Sequence, residues 1–282
     1  MAKTPNLNRD STAERAPLPT LFIPHGGGPC FFMDWAMGPP DTWNKMADFL
    51  RGIDASIGRR PKTVLVISGH WEEPNFTIGS GERPSLIYDY SGFPPHTYAL
   101  KYPPPGSPEL ARRVQELLSA ASIPAAADSQ RGWDHGVFIP FKLIYPDADV
   151  PVVQLSLKSG LDPSAHLAVG RALAPLRSEG VLIVGSGMSF HNLRRFRPGG
   201  VVEASDLLDA WLTDAVTDPD QASRDRKLVG WSNAPAARQA HPREEHLIPL
   251  MVAAGAAGTD RGRKTFTDRV MGATVSAFQF GG

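Results

Sequence analysis

The chain has 282 residues, 41% of them hydrophobic and 21% charged, a globular composition that excludes global disorder. Twenty-nine basic residues balance 29 acidic ones, so charge gives no case for nucleic acid or an anionic membrane as partner. The single cysteine, Cys30, excludes an internal disulfide framework and a cysteine-rich zinc module, and fits a reducing, cytoplasmic setting.

The N-terminal "MAKTPNLNRDSTAERAPLP" is polar and lacks the apolar core of a secretory signal. It predicts a flexible arm over residues 1–18, followed by one α/β domain over 19–282. No run is apolar for long enough to span a bilayer. Four short apolar runs predict strands buried on both faces: "TLFIP" (20–24), "TVLVIS" (63–68), "PVVQLSL" (151–157) and "VLIVGSG" (181–187). The C-terminal "ATVSAFQF" (273–280) alternates and predicts an edge or antiparallel strand. Helical patterns fill the intervals at 41–53, 107–120, 163–180 and 203–216. Ser107-Pro108 and Asp162-Pro163 are cap-plus-proline starts, and Gly180 suits the end of the third helix. The alternation predicts a single domain with a central, mostly parallel or mixed sheet flanked by helices. The stretch 80–108 is different. It is dense in proline, glycine and aromatic residues, and a loop of that length inside a domain is usually functional.

The eight histidines are not scattered evenly. His25 follows the first strand, His70 the second, and His191 lies just past "VLIVGSG". In open α/β sheets the carboxyl ends of the strands are where ligands bind. One histidine at a turn is most simply a hydrogen-bonded residue, but three meeting at one sheet edge point to a site. Neutral imidazole is the commonest metal ligand, and a mononuclear catalytic site needs about three protein ligands with open positions. A fourth candidate, His246, follows Pro242, Glu244 and Glu245, which suit the first turn of a helix. His135 opens another helical run after Asp134, where it either contacts a ligand or packs on Trp133. His96, His166 and His241 read as loop, helix-face and capping residues. Arg194 and Arg195, next to His191, read as a solvated charged turn. The "HGGG" glycines lack a P-loop or dinucleotide pattern and are read as letting the backbone pass close to a metal or substrate.

Together, "HGGGP", "VISGHWE", "GFPPHTYALKYPPPGSP", "WDHGVFIPFKLIYPDADVPVVQLSL", "GSGMSFHNL" and "PREEHLIPL" resemble the class III, LigB-type extradiol ring-cleavage dioxygenases, in their DOPA-dioxygenase-like branch. The matches run in order from about residue 20 to the C-terminus. The resemblance implies an α/β fold holding one non-haem metal, with His25, His70 and His246 as ligands. It implies His191 as acid/base, close enough in some members to count as a fourth ligand, and His135 in contact with the substrate. The sequence departs from the family in "HGGGPC", where many members carry His-Gly-Ser-Pro. Distant members use a carboxylate as third ligand, and Glu245 stands beside His246.

The chemistry so implied is insertion of O2 into a catechol-type ring with ring opening. It needs a redox-active metal with adjacent open positions, an acid/base such as imidazole, and an apolar cover. Fe(II) is the expected cofactor, and zinc can occupy the same site in purified protein. "CFFMDW" (30–35) and the aromatic loop 88–102 are candidates for the cover. The competing reading is a zinc hydrolase on the same histidines. The implied partners are a small catecholic substrate and O2, with no nucleic acid and no membrane, and a homo-oligomer is left open.

Overall fold

Strands that are apolar on both faces need helices on both faces, and the chain supplies them. The computed structural model describes residues 16–195 and 202–282. Most of the arm expected over 1–18 lies outside the described residues, but Leu18 is buried and its carbonyl accepts from Arg177 Nε at 2.6 Å. The elements, in chain order, are β1 (Thr20–Pro24), α1 (Asn44–Ile57), β2 (Thr63–Glu73), β3 (Phe76–Gly79), α2 (Pro108–Ala120), β4 (Ala125–Asp128), α3 (His135–Ile144), β5 (Val152–Lys158), α4 (Pro163–Leu173), β6 (Val181–Gly187), α5 (Val202–Thr217), α6 (Gln221–Val229), α7 (Ala237–Ala240), α8 (Ile248–Ala257), β7 (Gly262–Val270) and β8 (Ala273–Phe280).

The strands form one eight-stranded sheet in the order β4-β3-β5-β2-β6-β1-β8-β7. Its centre, β5-β2-β6-β1, is parallel, while β8 runs antiparallel to both β1 and β7. The sheet is therefore mixed, and β8 is an inner strand whose outer neighbour is β7. That edge strand escaped the sequence reading because "GRKTFTDRV" has few apolar residues, and one face of it is exposed. Side-chain alternation splits the core. Val64 and Val66 face a layer holding α1 and α3, whereas Leu65 and Ile67 face α2, α4, α5 and α8.

Local chemistry explains the helix ends. Ser107 Oγ accepts from Leu110 N at 3.2 Å, and Asp162 Oδ1 from Ser164 N at 3.0 Å, as their cap positions predict. The third helix stops at Leu173 rather than reaching Gly180, because Pro175 has no N–H to continue it and the chain tightens into a 3-10 turn. α1 buries Met46, Leu50 and Ile53, about 1.5–3 kcal/mol for each side chain. α8 is buried on every side and packs on α4 through glycines. A methyl at Gly170 would strike the Val252 carbonyl, and one at Gly255 the Leu167 carbonyl. Among the described residues, no helix is long and apolar enough to cross a membrane.

Candidate metal centre

Adjacent parallel strands carry the first histidines to one edge. β1 and β2 flank β6, so His25 at the end of β1 and His70 near the end of β2 emerge beside each other. The β2–β5 register shifts between Ile67 and Glu72, and His70 lies within that irregularity. Such a bulge re-aims a side chain that regular alternation would fix. His246 comes from the turn before α8, not from the helix itself. The helix begins at Ile248, with Pro249 in its first turn, so Glu244 and Glu245 precede it. The His246 carbonyl accepts from Met188 N at 3.0 Å, and Gly187 lets that backbone approach, since a methyl there would overlap the His246 carbonyl oxygen.

Hydrogen bonding on the outer side of each ring decides what the inner side can do. Ser186 Oγ donates to the Gly136 carbonyl at 2.5 Å, so toward His25 Nδ1, 3.2 Å away, it accepts. His246 Nδ1 lies 2.9 Å from Glu245 Oε1, and a carboxylate can only accept. His70 Nδ1 faces Asp89 Oδ2 at 3.5 Å. With the proton on each Nδ1, the Nε2 atoms of His25, His70 and His246 all present lone pairs. They present them to one another: His70 Nε2 is 3.2 Å from both His25 Nε2 and His246 Nε2. Lone pairs aimed together in a buried place repel unless a cation sits among them. Donors about 2.1 Å from one metal ion lie about 3.0 Å apart at right angles and about 3.4 Å apart at the tetrahedral angle. The observed separation falls between these, so the trio fits a transition-metal ion.

The electrostatics agree. Burial, reinforced by the neighbouring imidazoles, drives His25 and His246 well below the ordinary histidine range. Burial and then His135 bring His70 to about 3. The three imidazoles are thus neutral at neutral pH, the state in which imidazole can bind a metal. Burial alone would raise Asp89 and Glu245, but the hydrogen bond from His135 to Asp89 and that from His191 to Glu245 outweigh it, with nearby charges adding to the effect. Both acids end below the usual carboxylate range.

His191 lies against His246 with ring centroids 3.4 Å apart and planes 16° apart. Its Nδ1 is 3.5 Å from Glu245 Oε1, the atom that also holds His246 Nδ1. The parallel rings therefore share one carboxylate oxygen at their Nδ1 atoms. Glu245 sits on the outer side of the rings, not at the convergence of the Nε2 atoms. His135 stands over His70 with centroids 3.9 Å apart, and Asp89 Oδ1 accepts both its backbone N–H at 2.9 Å and its Nδ1–H at 2.8 Å. Asp89 thus spans His70 and His135. Sequence reasoning missed it, although it is the acid between Tyr88 and Tyr90 in the aromatic loop. Ser186 was missed too, since a serine inside an apolar strand is a weak signal.

A cavity of about 520 Å³ opens from the trio, lined by His25, His70, His135, His191 and His246 together with Gly26, Gly27 and Gly28. Trp35 and Met37 form one wall, and Asp89, Tyr90 and Phe93 another. Both candidate covers thus reach the cavity. They are tied together where His96 Nε2 meets the Phe32 carbonyl at 3.1 Å, and Tyr90 Oη donates to the Thr97 carbonyl at 2.7 Å within the loop. His166 and His241 lie outside the cavity. Arg194 and Arg243 border a separate polar basin beyond His191, and the Arg195 side chain lies outside the described residues.

The family model described as the catalytic LigB subunit of aromatic ring-opening dioxygenase matches residues 19–279. The chain belongs to the LigB family. Among curated proteins it is 43% identical to the 4,5-DOPA dioxygenase extradiol of Beta vulgaris, across 85% of this chain and 87% of that one. It is 37% identical to Dioxygenase tasH of Hapsidospora irregularis, over 94% and 86% of the two chains, and 34% identical to the 4,5-DOPA dioxygenase extradiol of Escherichia coli K12, over 89% of each. Among solved structures, the uncharacterized protein JW3007 from Escherichia coli K12 superposes with a TM-score of 0.74 at 29% identity, over 94% of this chain and 100% of that one. The enzyme class of this LigB chain is extradiol ring-cleavage dioxygenase.

Proposed function

We propose that this LigB enzyme uses Fe(II), held by His25, His70 and His246, to cleave a catechol-type ring with O2. The observation that carries the reading is the convergence of the Nε2 atoms of these residues, with each Nδ1 anchored to Ser186, Asp89 or Glu245. When bound, the iron supplies adjacent open positions for the catecholate and O2 and the redox chemistry that joins them. The chain does the rest. His191, oriented through Nδ1 by Glu245, is the acid/base, taking a proton from a catechol hydroxyl and returning it during ring opening. His135, fixed at Nδ1 by Asp89, turns its other ring nitrogen toward the substrate. Trp35, Tyr90 and Phe93 keep bulk water from the reacting atoms. Glu245 and Asp89 act through the imidazoles and belong to the shell that orients them.

Anaerobic titration of metal-free protein with Fe(II) tests the assignment. One ion per chain, lost on Ala substitution at His25, His70 or His246 and kept on His191→Ala, is the expected result. Retention of iron by any ligand variant with wild-type affinity would remove that residue from the site.

A further inference from the structure

The cavity is larger than one catechol ring needs, and two methionines on its wall also border a second groove. Met37 and Met271 line the 520 Å³ cavity, and the same two side chains line an outer groove of about 560 Å³ that continues past Thr42, Lys45 and Asp268. The two spaces share these thioethers as a common wall. Met37 is 60% exposed, while Met271 is half-buried.

Met271 occupies an unusual backbone position. Val270 pairs with Ala273, so Met271 and Gly272 form the two-residue turn of the β7–β8 hairpin. Both have positive φ, +50° and +87°, the mark of a type I′ turn. Asn, Asp or Gly is favoured at the first of these positions, and an unbranched apolar side chain is strained there. The turn does not need a methionine. What the methionine adds is a flexible apolar wall, and thioether side chains suit surfaces that adapt to varied ligands.

The charges near the cavity point the same way. Among the described residues, no Lys or Arg lines the inner cavity, and its one carboxylate, Asp89, is engaged by His70 and His135. In the outer groove, Lys45 pairs with Asp268 and Arg269 with Asp206. In the polar basin beyond His191, which Arg194 also borders, Arg238 pairs with Glu244 and Arg243 with Glu72. The walls that a ring substituent would meet are Trp35, Trp43, Met188 and Phe93.

We infer that the substrate is a catechol bearing an extended, uncharged apolar substituent that leaves the cavity between Met37 and Met271, and that Met271 is a specificity-determining residue. The inference rests on the catechol reading above and names the substrate class within it. Relatives named 4,5-DOPA dioxygenase carry in that name a substrate with a charged amino-acid side chain. This cavity favours a different one.

The test separates binding from chemistry. Anaerobic Fe(II)-loaded enzyme, which cannot turn over, is titrated calorimetrically with catechol, 4-phenylcatechol and 3,4-dihydroxyphenylalanine. Wild type, Met271→Asn and Met37→Ala are compared, and oxygen is then admitted to score ring opening. Wild type is expected to bind 4-phenylcatechol at least about tenfold more tightly than either other ligand, as a filled apolar pocket allows. Met271→Asn, which the turn favours and which therefore folds, is expected to cut that preference by about tenfold. Met37→Ala reduces it less, since that side chain is more exposed. Equal or tighter binding of 3,4-dihydroxyphenylalanine, or a preference untouched by Met271→Asn, overturns the inference. An apolar preference that persists without ring opening supports the cavity assignment and overturns the proposed reaction instead.

Discussion

His166 and the cluster of His25, His70 and His246 are built from the same buried imidazole, yet they end differently. His166 donates from Nδ1 to the Asp162 carbonyl at 2.7 Å and accepts from Lys158 N at Nε2, 3.2 Å away. Both nitrogens are satisfied locally, and burial holds the ring near 4, neutral and inert. In the cluster each ring is satisfied on one side only. The other nitrogens face one another, which would be costly in a folded core without a cation. Burial alone therefore does not mark a functional histidine. The mark is a lone pair left over after the local hydrogen bonds are assigned.

The largest expected effect breaks this distinction at its centre. Ala at His25, His70 or His246 should abolish iron retention and ring cleavage together, read by metal analysis after gel filtration. Ala at His166 should do neither. The next effect separates ligand from acid/base. His191→Ala should keep the metal and lose about 10²–10⁴ in turnover, the usual range for a positioned proton-transfer group. Near-normal turnover in that variant would take His191 out of the mechanism.

A smaller effect probes the outer side of the rings. Asp89→Asn keeps an oxygen for the backbone N–H and Nδ1–H of His135. It turns an amide donor toward His70 Nδ1–H, where two donors oppose each other. Metal affinity should fall about 10–100-fold, as for other orienting carboxylates. Wild-type affinity by competitive chelation would show that Asp89 does not orient the ligand.

The smallest effect is on stability at acid pH. His166 has its folded pKa lowered from the ordinary value of 6.5 to about 4, so the unfolded chain binds the proton more readily. Its contribution is fully present above about 6.5 and is lost as pH falls toward 4. Between pH 7 and 5 wild type should lose about 2 kcal/mol more than His166→Asn, by urea unfolding at both pH values. Equal losses would show that His166 is not held neutral by the fold.

The strands of the parallel centre were legible because burial on both faces makes them continuous apolar runs, and "TLFIP" and "VLIVGSG" end where expected. β3 and β4 are short, and β7 is polar, so none left a comparable signal. The histidines at strand ends were legible because strand ends are visible in sequence. Asp89 and Met271 were not, because each acts through a tertiary contact: a loop folded back onto His135, and a hairpin turn placed at the cavity mouth. Glu245 was visible as a rival ligand. Only the geometry sets it on the Nδ1 side of His246.

Converging neutral imidazoles that hold an iron should make this protein open catechol rings. The most direct measurement is dioxygen consumption by protein stripped of metal, reloaded anaerobically with Fe(II), and offered a panel of catechols while visible absorbance is recorded. Uptake matched in amount to a new yellow ring-opened product is the predicted result. Stoichiometric Fe(II) binding with no uptake for any catechol would contradict it.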